Sequence, residues 1–245
     1  MNREANIARF EAELSRVNRP GMDKLLDYIR KSDFYTAPAS TRFHLSCEGG
    51  LLQHSLNVLD ALRYILPYDL RGYKREYKVA NKTVFTITDE SVVLIALLHD
   101  ICKTYFYKPG TRNVKNEQTG KWEKVPCYTV EDKMPLGHGD KSAMLIKEYI
   151  HLDTVEMYAI WWHMGMTDQF NIGTFTQALT KYPILWAVHT ADMIASYMME
   201  DADGNKPLFT HSDPEAEAES QREPDMPPPP EDEDAEPVFE EAEAR

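Results

Sequence analysis

The segment Ser91–Lys103, SVVLIALLHDICK, constrains the chain more than any other stretch. Its apolar part, Val92 to Leu98, has no polar face and suits a helix buried on every side. The run ends abruptly in His99 and Asp100, with Lys103 one helical turn after His99. An imidazole and a carboxylate at the end of a core helix are costly to bury unless something neutralises and coordinates them. A divalent cation does both. The functional reading then depends on whether other segments supply the remaining ligands.

Composition sets the frame for that search. The 245 residues suffice for one domain with a sizeable core and some excess. The formal charge of −13 belongs to the C-terminal stretch: residues 201–245 hold sixteen Asp or Glu and three Lys or Arg, and residues 1–200 hold 24 of each sign. Overall charge therefore argues neither for nor against an anionic substrate. The stretch from about residue 213 is rich in Pro, Glu and Ala, with Phe239 its only aromatic residue. Such a segment cannot bury enough apolar surface to offset its ordering entropy, so 201–245 is expected to be a disordered acidic tail. Its options are solubility, a docking peptide for a protein partner around Val238 and Phe239, or an electrostatic mimic of nucleic acid. Three cysteines (Cys47, Cys102 and Cys127) show no paired spacing and follow no secretory signal. Reduced thiols in a cytoplasm are expected. No apolar run approaches the length of a membrane span.

Along the chain, residues 3–18 show a helical period through Ile7, Phe10, Leu14 and Val17, and Pro20 stops it. A second helix is expected over Met22–Ser32. Residues 33–50 have loop chemistry, and Gly50–Leu66 reads as a helix ended by Pro67. Residues 69–88 are polar and ambiguous. Thr88 with Glu90 and Ser91 marks a helix start, with the helix running to about Thr104. Residues 105–130 are rich in Tyr, Val and Thr around the turn signal NEQTG, which predicts an inserted β-hairpin or an irregular lid. Helices follow over His138–Ile150, Thr154–Met164, Thr174–Leu179 and Pro183–Glu200, the last with Pro at its first turn. The sum is an all-α helical bundle with one inserted hairpin. Residues 1–48 are read as helices and loop packing on the core, and 49–200 as the core itself.

Other candidate ligands sit in the same kind of apolar helical company. His54 shares a stripe with Leu51, Val58 and Leu62. His138 opens a helix in LGHGDKS, His163 closes one in AIWWHMG, and Asp192 lies within LWAVHTADMIASYM. Each alone has a plain structural explanation as a hydrogen-bonded core residue. Six of them on five helical segments point to a metal site. Imidazole nitrogens with carboxylate oxygens suit Mn, Fe, Ni or Zn, and no cysteine looks well placed.

The order His54…His99-Asp100…His138…His163…Asp192, carried by GGLLQHSLNV, LLHDICK, LGHGDKS, WWHMG and AVHTADM, resembles the HD-domain metal-dependent phosphohydrolase superfamily. Within it, the pattern is most similar to the HD domain of bacterial three-prime-to-five-prime exoribonucleases, without their nucleic-acid-binding OB-fold. The resemblance implies that His54, His99, Asp100 and Asp192 hold one divalent ion (Mn, Fe, Ni, Zn or Mg). It implies that His138 and His163 bind a second ion or the phosphate, with Asp100 bridging two ions where both are present. Many members with two ions carry another His where this chain has Met164. Lys103 matches a position that contacts phosphate or the bridging carboxylate.

The activity implied is hydrolysis of a phosphoester or phosphodiester in a nucleotide, cyclic nucleotide or short oligonucleotide. Asp100, Lys103, His138 and His163 would be the catalytic residues. Arg42, His44 and His189 are the candidate substrate contacts, although ordinary loop polarity explains His44 more readily. Cations and aromatics interleave in the expected hairpin, which suits phosphate contact and base stacking or simply an exposed ribbon. A di-iron oxygenase on the same ligand set and a non-catalytic binding module are the alternatives.

Overall fold

Eight α-helices and two antiparallel hairpins make up the described part of the chain. The computed structural model describes residues 2–66, 74–79, 82–167 and 172–204, with backbone alone for 74–79, 82–86 and 167. The acidic tail beyond residue 204 lies outside the described residues.

The fold is built around α4 (Asp89–Leu98). Thr88 caps it by accepting a hydrogen bond from the Ser91 N–H, and Asp89 and Glu90 complement the dipole of its first turn. Val92 through Leu98 are all fully buried, as a helix without a polar face requires. Its neighbours are α3 (Gly50–Ile65) and α6 (Thr154–Trp161), and α3 also packs on α1 (Arg3–Leu14) and α8 (Ile184–Ile194). Phe10 and Leu14 of α1, with Leu25 and Ile29 of α2 (Met22–Lys31), join the same apolar core. The remaining helices are α5 (His138–Lys147) and α7 (Ile172–Lys181).

Several elements end earlier than the sequence suggests. Helix α4 stops at Leu98, and a 3₁₀ turn over Ile101–Lys103 replaces its expected last turn. The backbone of Asp100, at φ −111° and ψ 18°, leaves the helical region there. Helix α5 ends at Lys147, α6 at Trp161 and α8 at Ile194, and α8 continues as one π-helical turn over Ala195–Met199. Helix α7 is longer than expected, at Ile172–Lys181.

The hairpin expected at 105–130 is present as β3 (Tyr107–Lys115) and β4 (Trp122–Val130), paired antiparallel from Tyr107–Val130 to Lys115–Trp122. A second hairpin, β1 (Lys74–Val79) with β2 (Lys82–Thr88), occupies the stretch that looked ambiguous. The single-hairpin reading is corrected there. High Lys and Thr content hid a period-two pattern of Tyr, Val, Phe and Ile.

Two glycines permit close backbone approaches that place the site. A Cβ on Gly50 would lie 2.0 Å from the Leu45 carbonyl oxygen, so only glycine lets α3 start against the preceding loop. A Cβ on Gly139 would lie 2.0 Å from the Trp161 carbonyl oxygen, which lets the start of α5 press against the end of α6. His138 and His163 flank that contact.

Arg19 is the polar strut between the N-terminal helices and this core. It donates to both carboxylate oxygens of Glu156 at 2.7 and 2.6 Å, to Glu90 at 2.5 Å and to the His151 carbonyl at 3.1 Å. Glu156 is fully buried and also closes the capping box of α6 with Asp153. Removing one partner of a buried pair strands the other charge. Arg19→Ala is expected to lower the unfolding free energy by about 3 kcal/mol in a urea titration. A loss below about 1 kcal/mol would place the pair with ordinary surface bridges.

Candidate metal centre

Four of the residues singled out in the sequence converge. His54 Nε2 lies 3.2 Å from His99 Nε2, 3.2 Å from Asp192 Oδ1 and 3.7 Å from Asp100 Oδ2. His99 Nε2 lies 3.5 Å from Asp100 Oδ2. Donors about 2.1 Å from one ion, at angles from octahedral to tetrahedral, are themselves about 3.0–3.4 Å apart, so these spacings suit a shared cation. They come from α3, the end of α4 and the last turn of α8, which the core packing brings side by side.

The orientation of each imidazole is fixed from behind. His99 Nδ1–H donates to the Ala96 carbonyl at 2.9 Å, and His163 Nδ1–H donates to the Ile160 carbonyl at 2.7 Å. A carbonyl can only accept, so both rings turn Nε2 toward the centre. His54 Nδ1–H donates to the Glu200 carboxylate at 3.0 Å. Glu200 also receives Asn57 Nδ2–H at 2.8 Å and stands 2.5 Å from His44 Nδ1. The carboxylate–histidine pair at His54 is the arrangement that orients a metal-binding imidazole.

On the other side of Asp100 stands His163. Its Nε2 is 3.5 Å from Asp100 Oδ1, and neither atom has a hydrogen-bond partner among the described residues, although both are buried. Two orphaned buried polar atoms facing one another cost several kcal/mol unless something sits between them. A lone pair and a carboxylate oxygen are what a cation satisfies. The donor set therefore fits a metal ion by its own chemistry. Donor atoms of His54, His99 and Asp100, and separately of His99, His163 and Asp192, lie within 4.8 Å of one another.

His138 reaches Asp100 from the start of α5, with Cys102 between them. The Cys102 Sγ is 3.5 Å from His138 Nδ1, and the three residues form another compact donor group. The expectation that no cysteine is well placed needs correction, because the 3₁₀ turn after Asp100 carries Cys102 inward. Burial and the nearby Asp100 charge push its thiol up to about 12, so it stays protonated at neutral pH.

Lys103 meets the Asp100 carboxylate, one of the two contacts that the resemblance implied for it. Because α4 ends at Leu98, it folds back onto Asp100 Oδ2 at 2.6 Å and donates to the Ala39 carbonyl at 2.9 Å. Burial opposes its charge, but Asp100 outweighs this and its pKa rises. The Asp100 carboxyl, for which burial is unfavourable, is held well below its usual value by Lys103 and His99.

The three expected substrate contacts fall in different places. His189 lines the cavity over the centre and donates from Nδ1 to the His163 carbonyl at 2.8 Å. His44 lines it too, tied to Glu200. Arg42 is exposed, stacks over the Phe43 ring at 5.0 Å and lines a separate crevice at the base of the β3–β4 hairpin. The cavity has a volume of about 540 Å³. Phe43, Met193 and Tyr197 wall its mouth, and Ser40, Lys103 and Ser196 supply polar groups.

Glu200 is the residue that sequence reasoning missed. It stands as the last residue of the expected helix Pro183–Glu200, directly before the acidic tail, and nothing in its spacing from Asp192 ties it to His54. Comparison of the chain with protein-family models, with curated proteins and with solved structures returned no match.

Two outcomes are expected. Glu200→Ala frees His54 to rotate and should weaken divalent-ion affinity about 10- to 100-fold by calorimetric titration, with helix content unchanged. The second concerns protons. Burial disfavours charge on His54, but Glu200 and Asp192 outweigh it and push its pKa up to about 10, whereas burial pushes His99 down to about 4. At pH 7 the metal-free His54 therefore holds a proton that an incoming ion must displace, and His99 does not. Calorimetry in buffers of different ionisation enthalpy should show about one proton released per first ion, with affinity rising with pH. Binding without proton release would contradict this assignment.

Proposed function

We propose that the chain is a metal-dependent phosphohydrolase of the HD type, acting on a phosphoester or phosphodiester of a nucleotide or short oligonucleotide. The observation that carries the reading is the buried convergence of His54, His99, Asp100 and Asp192, in the order and on the helices that the HD pattern requires. Those four residues would hold the first ion. Asp100, His163 and His138 would hold a second. A bound divalent ion supplies Lewis acidity toward a phosphoryl oxygen and a lowered pKa for water.

The chain's own residues do the rest. Lys103 fixes the Asp100 carboxylate and presents positive charge at the cavity floor, where a phosphoryl group gains most from it. Burial lowers the pKa of His138 against the pull of Asp100, so its imidazole is neutral near pH 7 and its lone pair is available to the second ion. The Ser40 and Ser196 side chains line the path to the centre, and Phe43 and Tyr197 offer apolar rings to the organic part of the substrate. A volume of about 540 Å³ is in the range of small-molecule sites and admits a mononucleotide unit.

His163 and His138, on the far side of Asp100, are also what a di-iron oxygenase would use. Oxygen uptake by iron-loaded protein separates the two chemistries.

The direct test is hydrolysis of a chromogenic aryl phosphodiester by metal-stripped protein resupplied with Mn, Fe, Ni, Zn or Mg. Turnover is expected with at least one ion and should fall to background in Asp100→Ala, which loses a ligand shared by both donor groups. No turnover with any ion, in protein shown to bind that ion, would move the assignment to the oxygenase or to a binding module.

A further inference from the structure

The β3–β4 hairpin has two chemically different faces. Residues opposite one another in an antiparallel pair share a face, and alternate residues along a strand do the same. The register therefore puts Tyr107, Pro109, Thr111, Asn113 and Lys115 on one face with Val130, Tyr128, Pro126, Lys124 and Trp122. That face carries two lysines and three aromatic rings and no carboxylate. The one acidic residue of the two strands, Glu123, lies opposite Val114 on the other face. Lys108, also on the other face, is paired with Glu131. Neither Lys115 nor Lys124 forms an ion pair among the described residues.

Toward the ribbon tip this face is uncovered among the described residues, while Tyr107 and Tyr128 nearer the core are half-buried. Trp122 is 70% exposed, and Lys115 and Lys124 are exposed. A ring of that size left in water at a ribbon tip, opposite Lys115 in register, contributes nothing to the core. The other end of the face reaches the metal centre. The Tyr107 hydroxyl donates to the Ala39 carbonyl at 3.2 Å, the same oxygen that receives Lys103. Between the ends, the Tyr128 N–H donates to the Thr41 carbonyl at 3.3 Å, which joins the strand to the loop bearing Arg42 and Phe43. Phe43 walls the cavity, and Arg42 lines the crevice beside Tyr128. Trp122, Lys115, Lys124, Tyr128, Arg42 and Phe43 thus run from the tip of the ribbon to the mouth of the cavity. Eight residue steps of strand span about 27 Å.

We infer that this face is a docking platform for single-stranded nucleic acid, which leads one end of the strand into the metal cavity. Lysines without carboxylates complement a phosphate backbone, and the exposed Trp122 ring, with the half-buried Tyr128 behind it, accepts unpaired bases without regard to sequence. Duplex nucleic acid offers no free base faces to Trp122 and Tyr128, and an acidic protein would leave the rings unused. The inference deepens the phosphohydrolase reading and rests on it for the fate of the bound strand, but binding itself does not need turnover.

The test uses the full chain, stripped of metal and held in chelator, with fluorescently labelled single strands of about 12 nucleotides, one DNA and one RNA. Fluorescence anisotropy is read against salt concentration. At least one single strand should bind about tenfold or more tighter than the matching duplex, as base stacking requires. Each cation in phosphate contact contributes about 0.7 to the slope of log affinity against log salt, so Lys115→Ala with Lys124→Ala should flatten it by about 1.4. Trp122→Ala should weaken binding about fivefold or more with little change in slope. All three changes are at exposed positions, so thermal midpoints and aryl phosphodiester turnover should stay at wild-type values. Equal binding of duplex, variants that bind like wild type, or no binding of any strand would overturn the platform. Turnover of the aryl ester without strand binding would sink the platform alone. Strand binding that depends on these residues, without metal-dependent turnover, would sink the hydrolase reading alone.

Discussion

The Asp100 carboxylate is the interaction on which the rest of the structure depends. It is buried at the end of a helix that is itself buried on every side, where an unpaired charge cannot persist. One of its oxygens is met by Lys103, and the other faces the His163 imidazole without a hydrogen bond. Around it, α3 brings His54, α8 brings Asp192, and the α5–α6 contact at Gly139 brings His138 and His163. The helices pack as they do because their apolar residues fill one core, and the polar residues are placed where that core opens into a cavity. A cation at this point would neutralise two carboxylates and occupy the lone pairs of the surrounding imidazoles at once.

Preorganisation comes from the shell behind these residues. Carbonyls at Ala96 and Ile160 fix two rings through their Nδ1 atoms, and Glu200 fixes a third. Glu200 in turn is held by Asn57 and His44, so the loop before α3, α3 itself and the chain after α8 meet at one carboxylate. The π-helical turn at Ala195–Met199 precedes it, a local irregularity of the kind often found beside functional sites. The centre is thus tied to the backbone ends of helices, where unpaired carbonyls are available, and to one acidic side chain outside the ligand set.

Much of this was legible in the sequence. The helical core followed from apolar periodicity, and apolar company singled out six candidate ligands, while the grouping of His54, His99, Asp100 and Asp192 at one ion was what the resemblance to the HD pattern implied. The hairpin at 107–130 announced itself by its turn and by its Tyr, Val and Thr content. What remained hidden depends on local geometry that periodicity does not encode. The break of α4 at Leu98 carries Cys102 toward His138, a placement that a continuous helix does not suggest, whereas the Lys103–Asp100 contact was one of the two that the resemblance implied. Glu200 read as no more than the end of the last helix, because only the packed structure brings it to His54. The hairpin at 74–88 was masked by its lysines and threonines, whose polarity obscured the strand alternation.

Anomalous diffraction from crystals soaked in manganese would test the central claim most directly. The account predicts an ion coordinated by His54 Nε2, His99 Nε2, Asp100 and Asp192, with Nδ1 of His54 still bound to Glu200. A crystal that shows manganese only on surface carboxylates, with Asp100 still paired to Lys103 alone, would contradict it.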